Sequence, residues 1–387
     1  MTGPAILDKP SPAAGTAATR TTARPVRVCI LAPSLDILGG QAIVAQRVIQ
    51  RLRQDPELEI TFIPHNPRLP WILRHLQRIK YVRTIVTSMA YVSLILRKFP
   101  RQDVIHVFSA SYWSFLLAPT PAILIGRLMG KRVILNYRSG QLAAHLEKWP
   151  RTTMPVLRRV DQIVVPSSFL VGVFARFGVA AESVFNFVEV ERIPYRRREQ
   201  LRPLFLANRN FAALYNVGCV LRAFAIIQKA IPNARLTVAG DGEQRDQLHT
   251  LARELGLRNV DFLGQVAPER MPALYDAADV YLNSPNIDNM PNSIIEAFAA
   301  GLPVVTTSAG GIPHIVTQER TGLMVDCNDH EALGAAALRL LADPALGLRL
   351  TTQARQEVLD RYTWSAVHRA WRRVYGLPES SASEATA

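Results

Sequence analysis

The sequence predicts an α/β protein made of two Rossmann-like, doubly wound domains that face each other across a cleft. First, short β-rich runs alternate with helical patterns from residue 26 onward, which is typical of parallel sheets. Second, this alternation stops at 188–203, a charged and proline-punctuated stretch, and then begins again. Third, 387 residues are enough for two domains with a core each. Ligands of open α/β sheets bind beyond the carboxyl ends of the strands, so we expect a site in the cleft.

The first series of elements occupies residues 25–190, which we assign to the first domain. It opens with a buried strand, "VRVCILAP" (26–33), and a helix, "QAIVAQRVIQRL" (41–52). Further strand signals follow, separated by helical stretches: "EITFI", "DVIHVFS", "RVILNY" and "QIVVPS". Residues 191–203 are the predicted linker.

The second series occupies residues 204–360, the predicted second domain. Its strand signals are "LFLAN", "ARLTVAG", "VDFLG", "DVYLNS", "PVVTT" and "GLMV", with helical patterns between them. A last helix lies within 361–377, and residues 378–387 form a polar tail that we expect to be disordered. Residues 1–24 read as a disordered lead-in, because they lack the apolar core of a signal peptide.

Positive charge is concentrated in the first half of the chain. Residues 1–200 hold 28 lysines and arginines against 12 acidic residues, whereas residues 201–387 hold 17 against 19. The basic half indicates an anionic partner such as a membrane surface, a phosphorylated lipid or nucleic acid, or simply a solvated basic face. No nucleic-acid-binding motif accompanies the charge, so nucleic acid is not expected.

The stretch 70–100 is basic and apolar and has Trp71 near its start. This composition fits a helix lying in a membrane interface, and it equally fits a core helix with solvated arginines. No apolar run approaches the roughly 20 residues of a spanning helix. The three cysteines are scattered, which favours a reducing cytoplasm without disulfides.

Two glycine-containing loops follow predicted strands. Gly39 and Gly40 lead into a helix, where backbone amides can approach an anion, although an isolated glycine pair also fits a plain turn. Gly240 and Gly242 follow "ARLTVAG" and again permit either a close ligand contact or a β–α turn. Neither loop has the full G-x-G-x-x-G pattern, so a dinucleotide cofactor is not indicated.

The third loop, "SPNIDNMPNSIIEAFAAGLPVVTTSAGGIP" (284–313), contains the strongest candidates. Pro291 suits the first turn of a helix that Gly301 ends, with Asp288 or Asn289 as capping groups. The helix period turns Glu296 away from the apolar face, so its carboxylate can accept hydrogen bonds from a ribose diol. Asp288 can hold hydroxyls of another sugar. The alternative is that Asp288 caps the helix and Glu296 is merely solvated.

Residues 283–326 resemble the donor-site region of the GT-B retaining glycosyltransferases of family 4. Members have an acid, seven residues and a glutamate, followed by the pattern "A.G.PVV....GG....V....G.LV". The resemblance extends over about residues 26–376, including "AGDGEQRDQL" and the closing helix "YTWSAVHRAWRRVY". It implies two facing domains, with the last helix crossing back to the first.

The resemblance also implies roles for the donor-site residues. Glu296 matches the glutamate that binds the donor ribose, and Asp288 stands where members usually have a glutamate that contacts the sugar. Gly264 to Val266 match the loop around the base. The residues expected near the pyrophosphate, at the start of a helix, are Asn289, Met290, Pro291 and Asn292.

The cations at the diphosphate depart from the family pattern. Arg209 matches the family arginine, but the lysine that normally follows is absent, and Leu214 or Tyr215 stands there. Losing one of two cations at the leaving group could cost a few kcal/mol of transition-state stabilisation. Arg138 replaces a histidine found near the sugar in many members and is a candidate for the missing positive charge.

The sequence therefore predicts a retaining transferase that moves a hexose from a UDP- or GDP-sugar to a lipid-linked or saccharide acceptor. We expect catalysis by Arg209, Asp288 and Arg138 without a cofactor or metal ion, in surface polysaccharide or glycolipid synthesis. The expected location is the cytoplasm, with contact to the inner face of the membrane. Two alternatives remain: a nucleotide-sugar epimerase of the same fold, or a degenerate transferase that acts as a binding partner.

Overall fold

The computed structural model describes residues 24–34, 40–69, 79 and 82–378. Predictions for Gly39, Trp71 and nearly all of the two termini lie outside these residues. Within them the chain forms two sheets of parallel strands with helices around each, and this confirms the predicted α/β architecture.

The first sheet has the strand order β2-β1-β3-β4-β5-β6. Its strands are β1 (Val26–Ala32), β2 (Leu58–Pro64), β3 (Val104–Ser109), β4 (Arg132–Tyr137), β5 (Gln162–Val165) and β6 (Glu182–Ser183). The helices of this half are α1 (Gly40–Leu52), α2 (Val82–Lys98), α3 (Trp113–Leu117), α4 (Pro119–Leu128), α5 (Leu142–Lys148), α6 (Pro150–Leu157) and α7 (Ser168–Arg176). The inner strands are buried on both faces, which accounts for their continuous Val, Ile and Leu runs.

The second sheet has the order β12-β11-β10-β7-β8-β9. Its strands are β7 (Leu204–Asn208), β8 (Arg235–Ala239), β9 (Val260–Gly264), β10 (Val280–Asn283), β11 (Val304–Thr307) and β12 (Leu323–Val325). The helices are α8 (Val217–Ala230), α9 (Arg245–Glu254), α10 (Met271–Ala277), α11 (Asn292–Ala299), α12 (His330–Ala342), α13 (Pro344–Arg361) and α14 (Trp364–Val374). The predicted strands are all present, but the sequence did not set α13 apart as a separate helix.

The segment predicted as a linker lies between the two sheets and is fastened to the second one. Asp279 at the start of β10 is fully buried and forms ion pairs with Arg196, Arg198 and Arg202. Arg198 is itself buried and donates to the backbone carbonyls of Ala300 and Gly301. The sequence of this segment lacks an apolar period because arginine side chains, rather than apolar ones, attach it to the second half of the chain.

Helix α14 crosses back to the first sheet, as predicted. Trp371 and Val374 are buried in the core that β1 and α1 share. Arg372 donates to Asp55 Oδ2 at 2.7 Å, and the Tyr375 hydroxyl lies 2.7 Å from His106 Nδ1 on β3. This return places the carboxyl ends of the two sheets on either side of one cleft.

Candidate active site

The loop between β10 and α11 reaches into the cleft. Helix α11 begins at Asn292 with Pro291 as its N-cap, and no side chain caps it. The prediction that Asp288 or Asn289 caps the helix is therefore wrong: Asp288 Oδ1 accepts from the amide of Asn289 instead, at 2.7 Å. The first amides of α11 remain available to an anion in the cleft.

One face of α11 packs on the sheet, and the other is only partly open. Ile294, Ile295 and Phe298 are fully buried. Ala297, next to Glu296, is also fully buried. Ser293 and Glu296 line the cleft, so the polar face is a narrow strip.

Two neighbouring cavities occupy the cleft. The smaller has a volume of about 360 Å³, and the larger about 900 Å³. They share Gly40, Asn292 and Ser293, so the start of α1 and the start of α11 stand where the two cavities meet. The pair of volumes suits an elongated ligand with an anionic group in its middle.

The smaller cavity brings together the three residues predicted as catalytic: Arg138, Arg209 and Asp288. Arg209 forms an ion pair with Asp288 Oδ2, and it donates to Ser293 Oγ at 3.3 Å. Burial raises the pKa of the Asp288 carboxyl, and the positive charge of Arg209 opposes that rise. Two guanidinium groups against one carboxylate leave this cavity with an excess of positive charge.

Arg138 follows β4 and belongs to the first domain. It donates to Asn186 Oδ1, and to Asn136 Oδ1 at 3.3 Å. Burial lowers its pKa to about 10, so the guanidinium stays charged at neutral pH. Arg138 lines the smaller cavity together with Arg209 and Asp288 of the second half of the chain.

Tyr215 occupies the region where the family lysine was expected. Its ring lies 4.1 Å from the Arg209 guanidinium carbon, a cation–π distance. The tyrosine therefore orients the arginine but adds no positive charge. Of the described residues that line the smaller cavity, only Arg138 and Arg209 carry a cationic side chain.

Glu296 lies on the wall of the larger cavity, and its side chain is 13% exposed. Its Oε1 accepts from Arg47 Nη1 on α1 at 3.0 Å, across the cleft. Its Oε2 accepts from the Tyr275 hydroxyl at 2.9 Å, and Asn208 donates to that hydroxyl at 2.7 Å. Both oxygens thus point to hydrogen-bond donors, as they would to the hydroxyls of a diol.

The predicted loop residues divide between the cavity walls and their support. Asn289, Met290, Pro291 and Asn292 line the smaller cavity, and Val266 lines the larger. Gly240 lines neither: a β-carbon there would lie 2.0 Å from the carbonyl oxygen of Arg209. Gly240 and Gly264 are instead bonded backbone to backbone, at 2.8 Å.

The glycine pair that follows β11 supports the Asp288 loop. A β-carbon on Gly310 would lie 2.2 Å from the carbonyl oxygen of Asp288, and one on Gly311 would lie 1.9 Å from that of Asn289. Only glycine allows the two loops to approach this closely. The pair therefore supports the loop that carries the Asp288 carboxylate.

Sequence reasoning missed Arg47, Asn186 and Tyr275. Asn186 donates to Asn292 Oδ1 at 2.7 Å and accepts from Arg138, so it joins the two walls of the smaller cavity. Arg47 and Glu296 are 249 positions apart, and no local pattern reveals such a pair. The sequence offered only their positions as a signal: Arg47 is a basic residue on the helix that begins at Gly40, and Asn186 is a polar residue shortly before the predicted linker.

The described residues contain no cluster of His, Cys, Asp and Glu that could hold a metal ion. Residues 326–329 form a turn in which Asp329 caps α12 through the amide of Ala332. None of the helices in the described part of the chain combines the length and the apolar character needed to cross a bilayer.

Residues 195–357 match the family model described as "Glycosyl transferases group 1". A protein of similar fold is HepE from Anabaena, solved in complex with UDP-glucose, with a TM-score of 0.70 and 15% identity. That match covers 90% of this chain and 99% of HepE, and it confirms the GT-B arrangement of two facing domains. The matched residues belong to the glycosyl transferases group 1 family, and the chain has the fold of such enzymes.

Two curated relatives show the range of the family. The lipopolysaccharide core biosynthesis glycosyltransferase LpsE of Rhizobium meliloti is 28% identical over 61% of this chain and 70% of its own length. A GDP-mannose-dependent phosphatidylinositol monomannoside mannosyltransferase of Mycolicibacterium smegmatis is 29% identical over 38% of this chain and 40% of its own length. The chain spans 37 to 70% of the length of the first four curated relatives.

Proposed function

We propose that this chain is a retaining hexosyltransferase that uses a nucleoside-diphosphate sugar as donor. The observation that carries the proposal is the pair of joined cavities, with Glu296 in one and Arg138, Arg209 and Asp288 in the other. The nucleoside fits the larger cavity, with its ribose on Glu296 and its base beside Val266. The diphosphate then lies at the start of α11, and the sugar lies against Asp288.

The proposed chemistry depends on stabilising the leaving group. The bond between the anomeric carbon and the diphosphate oxygen breaks, a hydroxyl oxygen of the acceptor bonds to the same carbon, and the proton of that hydroxyl passes to the departing diphosphate. Arg209, Arg138 and the first amides of α11 stabilise the negative charge that develops on the diphosphate. Arg138 thereby supplies the second cation that the tyrosine at position 215 cannot.

Glu296 already has hydrogen-bond partners in this structure, so donor binding must rearrange them. Arg47 holds Oε1 from across the cleft, and a ribose hydroxyl would compete for the same oxygen. Arg47 lines the larger cavity and can turn toward the bound nucleotide once it is displaced. The Tyr275 contact keeps the Glu296 carboxylate oriented during that exchange.

The acceptor proposed here is lipid-linked or a saccharide, and the enzyme works at the cytoplasmic face of a membrane. Helix α2 supports this proposal, because Ile85, Met89 and Leu96 are 61%, 67% and 50% exposed on one side of it. Basic side chains stand at both ends of the helix, among them Arg83 and Arg97. An exposed apolar row with flanking positive charge suits an anionic lipid surface.

The donor site is tested by a thermal-shift panel of UDP, GDP and their common hexose conjugates, on the wild type and on Glu296→Ala. We expect one nucleotide to raise the melting temperature, and the variant to lose most of that rise because the ribose contact is gone. Glu254→Ala, at an exposed glutamate on α9 that lines neither cavity, is a matched control that should keep the response.

The panel also separates the alternatives. A stabilising donor sugar that NMR shows to be interconverted without any acceptor indicates an epimerase. Donor binding without turnover in the presence of membrane extracts indicates a degenerate transferase. No stabilisation by any nucleotide at millimolar concentration would refute the donor site itself.

A further inference from the structure

An aromatic cluster lies beside the smaller cavity but outside both cavities. It consists of Tyr112, Trp113 and Trp149, which we call the aromatic platform. The ring centroids of Trp113 and Trp149 are 5.2 Å apart, and those of Tyr112 and Trp149 are 5.8 Å apart, both pairs edge to face. The proposed donor chemistry uses none of these rings.

The platform stands at the same edge of the first sheet as the catalytic arginine. Tyr112 and Trp113 follow β3, and Arg138 follows the neighbouring strand β4. Gln141, which lines the smaller cavity, begins the single short helix α5 that ends at Trp149. Seven helical residues span about 10 Å, so the platform is within reach of a short oligosaccharide that extends from the cavity.

The platform is held by a buried polar network. Tyr112 has a positive φ of 57°, a costly backbone conformation for a bulky side chain, and its ring packs 5.1 Å from that of His145. His145 is fully buried and lies 2.9 Å from the Tyr137 hydroxyl and 3.2 Å from Thr153 Oγ1. Such support and local strain are typical of a site rather than of an ordinary surface turn.

Trp113 is 63% exposed, which is unusual for the largest apolar side chain in a protein with two extensive cores. The face of an indole ring carries partial negative charge and attracts the C–H groups on the apolar side of a sugar ring. Polar side chains that can bond sugar hydroxyls lie at both ends of the path between the platform and the smaller cavity: Ser114 follows Trp113 in the chain, and Ser139 and Gln141 line that cavity. This mixture of open rings and short polar groups matches a carbohydrate better than an acyl chain.

We propose that the aromatic platform binds a saccharide ring of the acceptor. The inference rests on the proposed transferase function and adds the chemical class of the second substrate. One sugar ring of the acceptor lies on the platform, and the acceptor continues from there to the hydroxyl that attacks the donor in the smaller cavity. An acceptor with a saccharide portion is therefore used better than a lipid phosphate alone.

Saturation-transfer NMR with maltotriose, mannotriose and chitotriose at about 10 mM tests the platform, since protein–sugar contacts of a few rings are weak. We expect signals from at least one trisaccharide, at least tenfold weaker affinity in Trp113→Ala and Trp149→Ala, and recovery in Trp113→Tyr, which keeps a ring. Leu128→Ala removes another strongly exposed apolar residue, 87% exposed on α4, and is the control.

The inference is overturned if no trisaccharide gives a signal, or if the signals are the same in both alanine variants. It is also overturned if Trp113→Ala weakens binding to phosphatidylglycerol vesicles but leaves the trisaccharide signals unchanged, because the cluster then contacts the membrane. Nucleotide stabilisation is measured on the same samples. Nucleotide binding without saccharide binding refutes the platform alone, and saccharide binding without nucleotide binding refutes the proposed donor site alone.

Discussion

At the scale of single residues, the ion pair between Arg209 and Asp288 lies in the wall of the proposed donor site. Both side chains are nearly buried, at 13% and 11% exposure, so neither charge is well solvated. Arg209 is held by Asp288, by Ser293 and by the ring of Tyr215. A donor diphosphate would bring a new anion to a guanidinium that already has a carboxylate partner.

Asp288→Asn keeps the shape of the side chain but removes its charge. We expect the free energy of unfolding to fall by about 3–5 kcal/mol, because the change leaves Arg209 buried without a counter-ion. The diphosphate of a bound nucleotide then supplies the missing charge, so nucleotide should raise the melting temperature of the variant more than that of the wild type. Chemical denaturation and thermal shift measure the two effects.

Asp261→Asn is the control for this prediction, since Asp261 is an exposed carboxylate on β9. Its stability should change by less than about 0.5 kcal/mol. An unaltered stability of Asp288→Asn would mean that Arg209 finds another partner and that the pair is not the anchor of this cavity.

At the scale of elements, α2 packs one side on the core and exposes a row of apolar side chains on another. Tyr91 and Ile95 are its buried residues, and they pack on the first core. The opposite side carries the exposed row of Ile85, Met89 and Leu96. The structure describes the predicted interfacial stretch 70–100 only at residue 79 and from residue 82 onward. In that part, one side of the helix packs on the core and another side exposes apolar side chains.

The double variant Ile85→Ser/Met89→Ser tests the role of this surface. We expect at least about tenfold weaker partitioning onto vesicles of phosphatidylglycerol and phosphatidylcholine, because two exposed apolar side chains lose their favourable burial. Binding should also weaken as salt is raised, since the basic flanks contribute. Co-sedimentation measures both effects.

Leu359→Ser is the matched control, an exposed leucine on α13 of the second half. Equal loss in both variants, or full binding by the double variant, would contradict the assignment of α2 to the membrane.

At the scale of the whole molecule, α14 ties the end of the chain to the first sheet through a buried histidine. His106 on β3 accepts from Asn136 at Nε2 and faces the Tyr375 hydroxyl at Nδ1. Burial, with a smaller contribution from the charge of Arg138, lowers the pKa of His106 to about 3. Burial also lowers the pKa of His65 and of His145 to about 4.

These three histidines predict a loss of stability on mild acidification. The unfolded chain takes up protons below about pH 6.5 while the native state does not, so the free energy of unfolding falls as the pH falls. Each buried histidine contributes a slope of up to about 1.4 kcal/mol per pH unit. Chemical denaturation at several pH values between 7 and 5 should show this slope. The variant His106→Gln should reduce the slope by the contribution of one histidine.

His314→Gln is the comparison for this slope, because His314 is exposed on the second half of the chain. The slope of this variant should equal that of the wild type. A wild-type stability that does not change between pH 7 and 5 would contradict the neutral, buried state of His106.

The sequence alone predicted much of the fold because the relevant signals are local. Buried parallel strands read as short apolar runs, and the helices between them keep the period of 3.6 residues. The spacing of Asp288 and Glu296 placed both carboxylates on one loop and helix, and both line the cleft. The prediction that Asp288 caps the helix was wrong, because its carboxylate accepts a hydrogen bond from the amide of Asn289, which lies before the helix.

What the sequence by itself determined about this protein is therefore its two-domain α/β class and the loop and helix that carry Asp288 and Glu296 into the cleft, since both depend on neighbours in the chain. Only the tertiary structure decided which distant residues meet: Arg47 with Glu296 across the cleft, Asn186 with Arg138 and Asn292, and α14 with the buried His106 of the first sheet. These contacts join residues from distant parts of the chain. They depend on how the two sheets face each other, which side-chain geometry determines and no local pattern records.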